Sequence, residues 1–310
     1  MTDDFTRLPD LASRLLGGAV VAANDELFAE KENLIKPGPA EASAEFGHKG
    51  KVYDGWETRR RRDLGPDAHD WAIVRLGVPG VVRGVVVDTA FFTGNFPPYC
   101  SVEGALVEGY PAPSDITGWM PLLGRSDLEG DTVNPFDVTS DERVTHVRLN
   151  IFPDGGVARF RVHGEPRPDP RLLTGTIDLA ALENGGAVVD CSDMFYSSPT
   201  NLLLPGRARS MGEGWENARR RDHGHDHVTV RLAGRGVVRR VEIDTSYFVG
   251  NAPGWASVTA GSHHLVPKTA LQPDTRHVFV VEEQAAVSEV RLDVFPDGGV
   301  ARFRVWGELV

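Results

Sequence analysis

Eleven residues, Tyr53-Asp54-Gly55-Trp56-Glu57-Thr58-Arg59-Arg60-Arg61-Arg62-Asp63, bring the Glu57 carboxylate, the Trp56 indole and four guanidiniums into one short stretch. Guanidinium forks bind carboxylates bidentately and Glu57 can carry a proton, so the segment suits a small anionic substrate. The same composition also describes a solvated loop whose arginines and glutamate pair with one another. A weaker copy follows, Gly212-Glu213-Gly214-Trp215-Glu216-Asn217-Ala218-Arg219-Arg220-Arg221-Asp222, which keeps Trp, Glu and three Arg.

A second chemistry-bearing stretch runs Asp88-Thr89-Ala90-Phe91-Phe92-Thr93-Gly94-Asn95-Phe96-Pro97 and recurs as Asp244-Thr245-Ser246-Tyr247-Phe248-Val249-Gly250-Asn251-Ala252-Pro253. Asn offers an amide both donors and an acceptor, although Asp and Asn beside Gly and Pro commonly bond their own backbone. Asp154 and Asp297 sit in Pro-Asp-Gly-Gly turns, where a structural role is expected. Arg159, Arg161, Arg302 and Arg304 are expected to project from the face opposite the core, towards a pocket or a partner. His223, His225 and His227 alternate as metal ligands on a strand would. Their counterparts in the first copy are Asp67, His69 and Trp71, so the repeat argues against a metal and no cofactor is expected.

These motifs belong to a duplication. Gly17-Gly18-Ala19-Val20-Val21 returns as Gly185-Gly186-Ala187-Val188-Val189, and Val144 to Glu165 returns as Val287 to Glu308 with five differences in 22 positions. The stretch from Phe152 to Val162 is unchanged in the second copy. Units this long are domains and not solenoid repeats. The expected division is an N-terminal segment 1–14, a first repeat 15–166, a proline-rich linker 167–176 and a second repeat 177–310.

Periodicity names the fold class. Thr145 to Ile151 alternates apolar and polar residues, and alternation resumes at Ala158, Phe160 and Val162 after Pro153-Asp154-Gly155-Gly156, which reads as a hairpin. Ala72, Val74 and Leu76, then Val85 and Val87, read as further half-buried strands. Helical periodicity is weak outside Asp10 to Leu16 and Asp178 to Glu183. The expectation is all-β, a sandwich in each unit.

Composition narrows the partners. The formal charge is −11, with 5 Lys and 28 Arg, so no basic field exists for nucleic acid or anionic lipid. No apolar run spans a membrane and no basic-then-apolar leader opens the chain, so a cytoplasmic setting is expected. Cys100 and Cys191 make no disulfide framework. Gly-x-Ser-x-Gly, Cys-x-x-Cys and phosphate-loop patterns are absent.

The chain resembles the allantoicase family. The resemblance rests on Gly17 to Val21 with Asp25, Phe28 and Glu32-Asn33-Leu34-Ile35, on Tyr53 to Arg60, on Asp88 to Phe92 with Gly94 to Pro97, and on Phe152 to Gly164. Each has its second-copy partner, and coverage runs from about Leu15 to the C-terminus. It implies two tandem jelly-roll domains of galactose-binding-like form, a homo-oligomer (trimer or hexamer), and hydrolysis of allantoate to ureidoglycolate and urea. The second copy departs at Gly212 to Ala218, which favours the first copy for chemistry and leaves a shared site open.

On that implied substrate, Arg60 or Arg61 is expected to take the carboxylate and Asn95 a ureido arm, with Trp56 and Arg159 completing the pocket. Glu57 and Asp88 are expected to share the proton transfers. Glu216, Arg220, Asp244, Asn251 and Arg302 are the second-copy counterparts. Two other classes compete: a non-catalytic ligand- or carbohydrate-binding sandwich, and an ammonia-releasing amidohydrolase, for which a dinuclear metal site would be required.

Overall fold

The computed structural model describes residues 5–63, 65–282 and 285–310. It divides into two compact units, Met1–Arg167 and Pro168–Val310, each built from strands and short 3₁₀ turns. No α-helix occurs among the described residues, and no helix there is long and apolar enough to cross a membrane. The two weakly helical stretches become the 3₁₀ turns Arg14–Leu16 and Leu182–Asn184. Each is closed by a left-handed glycine, Gly17 and Gly185.

In the first unit one strand organises the rest. Asp70–Asp88 runs for 19 residues and contains both of the stretches that periodicity separates. Its first part, Asp70 to Arg75, lies between the strands Ala19–Ala23 and Arg143–Phe152. Its second part, Gly84 to Asp88, lies between Arg159–Pro166 and Val133–Asp137. The register breaks between Arg75 and Gly80, where Pro79 lacks the N–H that a continuous ladder needs. Tyr99–Ala105 and Met120–Asp127 extend the sheet beyond Arg143–Phe152. Val74, Leu76, Val85 and Val87 are buried, as are Ile73 and Val86 on the alternate face, so this strand is not half-exposed.

The expected hairpin does not form. Arg143–Phe152 and Arg159–Pro166 each pair with a different part of the long strand and not with one another. The turn between them carries its own short strand, Gly156–Val157, which pairs with Trp56–Glu57. Alternation identified the strands correctly, but pairing was decided by which edges of the long strand were available.

The second unit repeats this plan around Asp226–Asp244, which pairs with Ala187–Cys191, Val287–Phe295, Arg302–Leu309 and Arg276–Val280. Gly299–Val300 pairs with Trp215–Glu216.

The N-terminal segment is part of the first unit from Phe5 onward, with residues 1–4 outside the described residues. Leu11 and Ala12 are fully buried. Leu11 donates its N–H to the Val162 carbonyl, and the Asp10 carboxylate accepts from the Val162 N–H at 2.9 Å. Apolar burial and backbone pairing tie this segment down, where a free tail would have neither.

Candidate active site

The cleft of the first unit is built where three loops meet. Within Trp56–Glu57 the strand alternation sends the two side chains opposite ways. Trp56 is fully buried and donates its indole N–H to the Asp25 carbonyl at 2.8 Å, so it is core and does not line the cleft. Glu57 faces the cleft, held by reciprocal backbone hydrogen bonds with Ala29. Asn95 donates its amide N–H to Glu57 Oε1 at 2.8 Å.

What brings these two loops together is the Pro153 to Gly156 turn. The Asn95 carbonyl accepts from the Gly156 N–H at 2.7 Å, and the Gly155 carbonyl accepts from the Thr58 N–H at 3.1 Å. Gly155 has φ 145°, and a Cβ there would lie 2.8 Å from the Asn95 carbonyl oxygen and 2.7 Å from the Pro97 nitrogen. Only glycine allows that approach without displacing backbone. Asp154 Oδ2 accepts from the Arg61 backbone N–H at 2.8 Å, so this turn also anchors the arginine run.

The cleft has a volume of about 560 Å³, with Glu57, Asn95, Arg60, Arg62, Asp154 and Phe28 among its walls. Burial raises the Glu57 carboxyl above its ordinary value, and the hydrogen bond from Asn95 opposes the shift. Arg60 and Arg62 make no hydrogen bond or ion pair with a described residue. A carboxyl with a raised proton affinity thus shares one cavity with two guanidiniums uncommitted among the described residues, an arrangement suited to acid–base chemistry on a small carboxylate.

Other expected site residues lie elsewhere. Arg61 donates to the His69 carbonyl at 2.9 Å and to Asp70 Oδ1 at 2.7 Å, where Asp70 is almost fully buried. Arg159 is 2% exposed; it pairs with Asp54 and donates to the carbonyls of Pro39, Asp54 and Ala158. Arg302 does the same in the second unit, donating to the Glu213 and Ala301 carbonyls, and Arg304 is buried beside Asp178. Burial, with the Arg304 charge adding to it, pulls the Arg302 guanidinium down to about 10. These arginines therefore tie loops to strands and do not project outward. Asp88 ends the long strand opposite Arg159, accepts from the Ala90 N–H at 2.8 Å, and lines a different depression.

The second unit keeps the same pair. Asn251 donates to Glu216 Oε1 at 2.7 Å and also to the Met211 sulfur. Arg220 is committed to Asp226, and its N–H to Asp297 Oδ2. Asp244 accepts from the Ser246 N–H and hydroxyl. His225 and His227 are bonded to different carboxylates, Asp293 and Asp190. No group of three His, Cys, Asp or Glu among the described residues is arranged to hold a metal ion.

Residue-type reasoning overlooked Thr58, Arg62 and Phe28 as walls and assigned Asp154 to a turn alone. The unchanged Phe152 to Val162 stretch was the available signal, because an invariant turn in two diverged copies marks a shared contact.

A protein 60% identical, the probable allantoicase of Nocardia farcinica, aligns over 98% of this chain and 95% of its own length. The allantoicase of Dictyostelium discoideum is 40% identical over 96% of this chain and 86% of its own. The crystal structure of the Saccharomyces cerevisiae allantoicase superposes with a TM-score of 0.84 at 35% identity, covering 97% of this chain and 93% of that one. With the Allantoicase repeat matched at residues 9–167 and again at 177–310, the chain belongs to the allantoicase family.

Proposed function

We propose that this protein is an allantoicase, hydrolysing allantoate to ureidoglycolate and urea at the first-unit cleft. The observation that carries this reading is the half-buried Glu57 carboxyl, hydrogen-bonded by Asn95 and accompanied by two guanidiniums that have no partner among the described residues. Names borne by relatives at 40 to 60% identity support the same activity.

Allantoate holds one carboxylate and two ureido groups on a single carbon. Arg60 takes the carboxylate. Asn95 Oδ1, which accepts no hydrogen bond from a described residue, takes an N–H of one ureido arm. Protonated Glu57 gives its proton to the nitrogen of the departing arm as that C–N bond breaks, with electrons supplied by the nitrogen of the remaining arm. Urea leaves, and an iminium-like carbon is left. Water adds to that carbon and loses a proton to the Glu57 carboxylate, which forms the hydroxyl of ureidoglycolate and restores the acid. One carboxyl thus serves both halves, and Asp88 is not required in the cleft.

Purified protein is expected to release urea from allantoate without ammonia, and to do so in the presence of a chelator. Ammonia as product, or loss of urea release on chelation, would refute the metal-free reading. Binding with no turnover by folded protein would favour the non-catalytic module instead. Arg60→Ala is expected to raise KM about 10- to 100-fold with a smaller change in kcat, because a charge-assisted bond to the unreacting carboxylate contributes about 1.5 to 3 kcal/mol to binding in ground and transition states alike. An unchanged KM would assign the carboxylate to another group, with Arg62 the next to test. A homo-oligomer, trimer or hexamer, and a cytosolic setting belong to the same reading.

A further inference from the structure

Each unit carries a second depression at the same place in its fold, with walls distinct from those of the Glu57 cleft. Both are framed by an equivalent ion pair, Asp10 with Arg161 in the first unit and Asp178 with Arg304 in the second. In both, the aspartate also accepts a strand N–H at 2.9 Å, from Val162 or Val305. These shared groups are accounted for by the fold.

The remaining walls have diverged. Strand register places Val86 opposite Arg161 and Val133 opposite Asp88; the matching positions in the second unit are Glu242, opposite Arg304, and Arg276, opposite Asp244. Leu15 and Pro39 of the first unit correspond to Glu183 and Arg207, and His163 to Trp306. Four wall positions that are apolar in one copy, Leu15, Pro39, Val86 and Val133, are charged in the other, around a cavity of about 330 Å³.

The first unit shows that the fold accepts an apolar wall here, so folding does not explain the charges. Placing Glu242, 7% exposed, beside Arg276 carries a desolvation cost that an apolar wall avoids. The Trp306 indole N–H is buried with no hydrogen-bond partner among the described residues, a further cost. Glu183 and Arg207 make no hydrogen bond or ion pair with a described residue, yet both face this cavity. An uncommitted carboxylate and an uncommitted guanidinium on one small cavity are complementary to a molecule with an N–H head and an anionic tail.

We propose that the second-unit pocket binds a short carboxylic acid bearing an amino or ureido group, its carboxylate held by Arg207 and its N–H head by Glu183. Trp306 supplies the flat wall of the site. The pocket is a site of its own and does not depend on the chemistry assigned to Glu57.

Titration calorimetry on the full chain tests this, with N-carbamoylglycine and glycine as probes and urea and glycolate as half-ligands. At least one probe is expected to bind more tightly than either half-ligand and to keep that binding in an Arg60→Ala protein, which alters only the first-unit cleft. Glu183→Leu, which installs the first unit's residue, and Arg207→Ala are each expected to weaken it about tenfold or more while urea release stays at the wild-type rate. Both positions are exposed, so neither change should disturb folding, and matching thermal melts check this. Unchanged binding in both variants, binding that vanishes with Arg60→Ala, or no binding of either probe would overturn the proposal. None of these outcomes bears on whether the first-unit cleft releases urea.

Discussion

Glu57→Gln is expected to lower kcat for urea release about 10²- to 10⁴-fold, the range lost when a positioned acid–base group is removed. The amide is nearly isosteric and can still accept from Asn95, so the Trp56–Glu57 strand and the cleft should persist and KM should move little. The pH profile carries the more specific signature. Burial raises the Glu57 carboxyl, so more of it is protonated at a given pH than for an exposed glutamate. Since the protonated form starts the reaction, kcat should fall as pH rises through this elevated value, and that limb should vanish in the glutamine variant. Asn95→Leu should move the limb to higher pH, because the Asn95 hydrogen bond is what opposes the shift. Wild-type turnover by folded Glu57→Gln protein would remove Glu57 from the mechanism.

Arg159→Ala is expected to act on stability, at a cost of about 3 to 5 kcal/mol to the first unit, the range found when one partner of a buried ion pair is deleted. The guanidinium is nearly inaccessible and donates to four carbonyls as well as to the Asp54 carboxylate, all of which would lose this partner. Burial alone would raise the Asp54 carboxyl; Arg159, with the Glu41 N–H and Lys36, outweighs it and holds Asp54 at about 2. That value lies below the 3.8 of an unfolded aspartate. The folded state therefore resists protonation, and the Asp54 contribution is complete above about pH 4 and lost as pH falls towards 2. At about 1.4 kcal/mol per unit the contribution is about 2.5 kcal/mol. Denaturant melts at pH 7 and pH 3 should show wild type losing about half of this increment, the rest being lost nearer pH 2, and Arg159→Ala losing less. A variant that melts like wild type but binds substrate poorly would restore Arg159 to the substrate pocket.

The two units test one frame against two surroundings. Both keep a glutamate bonded by an asparagine, yet in the second unit the asparagine also meets the Met211 sulfur, and Asn217 stands where the first unit has Thr58. Thr58 accepts the Gly155 N–H through its hydroxyl, and Asn217 accepts the Gly298 N–H through its amide oxygen. The Asn217 Nδ2 is then buried without a partner among the described residues. The duplicated motif preserves the backbone geometry while the cleft chemistry drifts, and this difference is the ground for proposing the reaction in the first unit.

The sequence alone determined the duplication and the all-β class, and it singled out Glu57, Asn95 and Arg60 or Arg61, of which Glu57, Asn95 and Arg60 line one cleft. Those are local or self-referential properties: alternation has a period of two, turns need particular residues, and two copies can be laid on one another. Strand pairing lay beyond it. Periodicity shows that Arg143–Phe152 and Arg159–Pro166 are strands, but only the closed sheet shows that each pairs with another part of Asp70–Asp88. Site membership followed the same division. Trp56 and Glu57 are neighbours with opposite fates, and Asp88 and Arg159 face each other across a ladder away from the cleft. Glu57 and Asn95, 38 residues apart, meet because the glycine turn at Gly155 and Gly156 bonds to both loops. Side-chain type sets what a residue can do, and long-range backbone pairing decides which residues share a cavity to do it in.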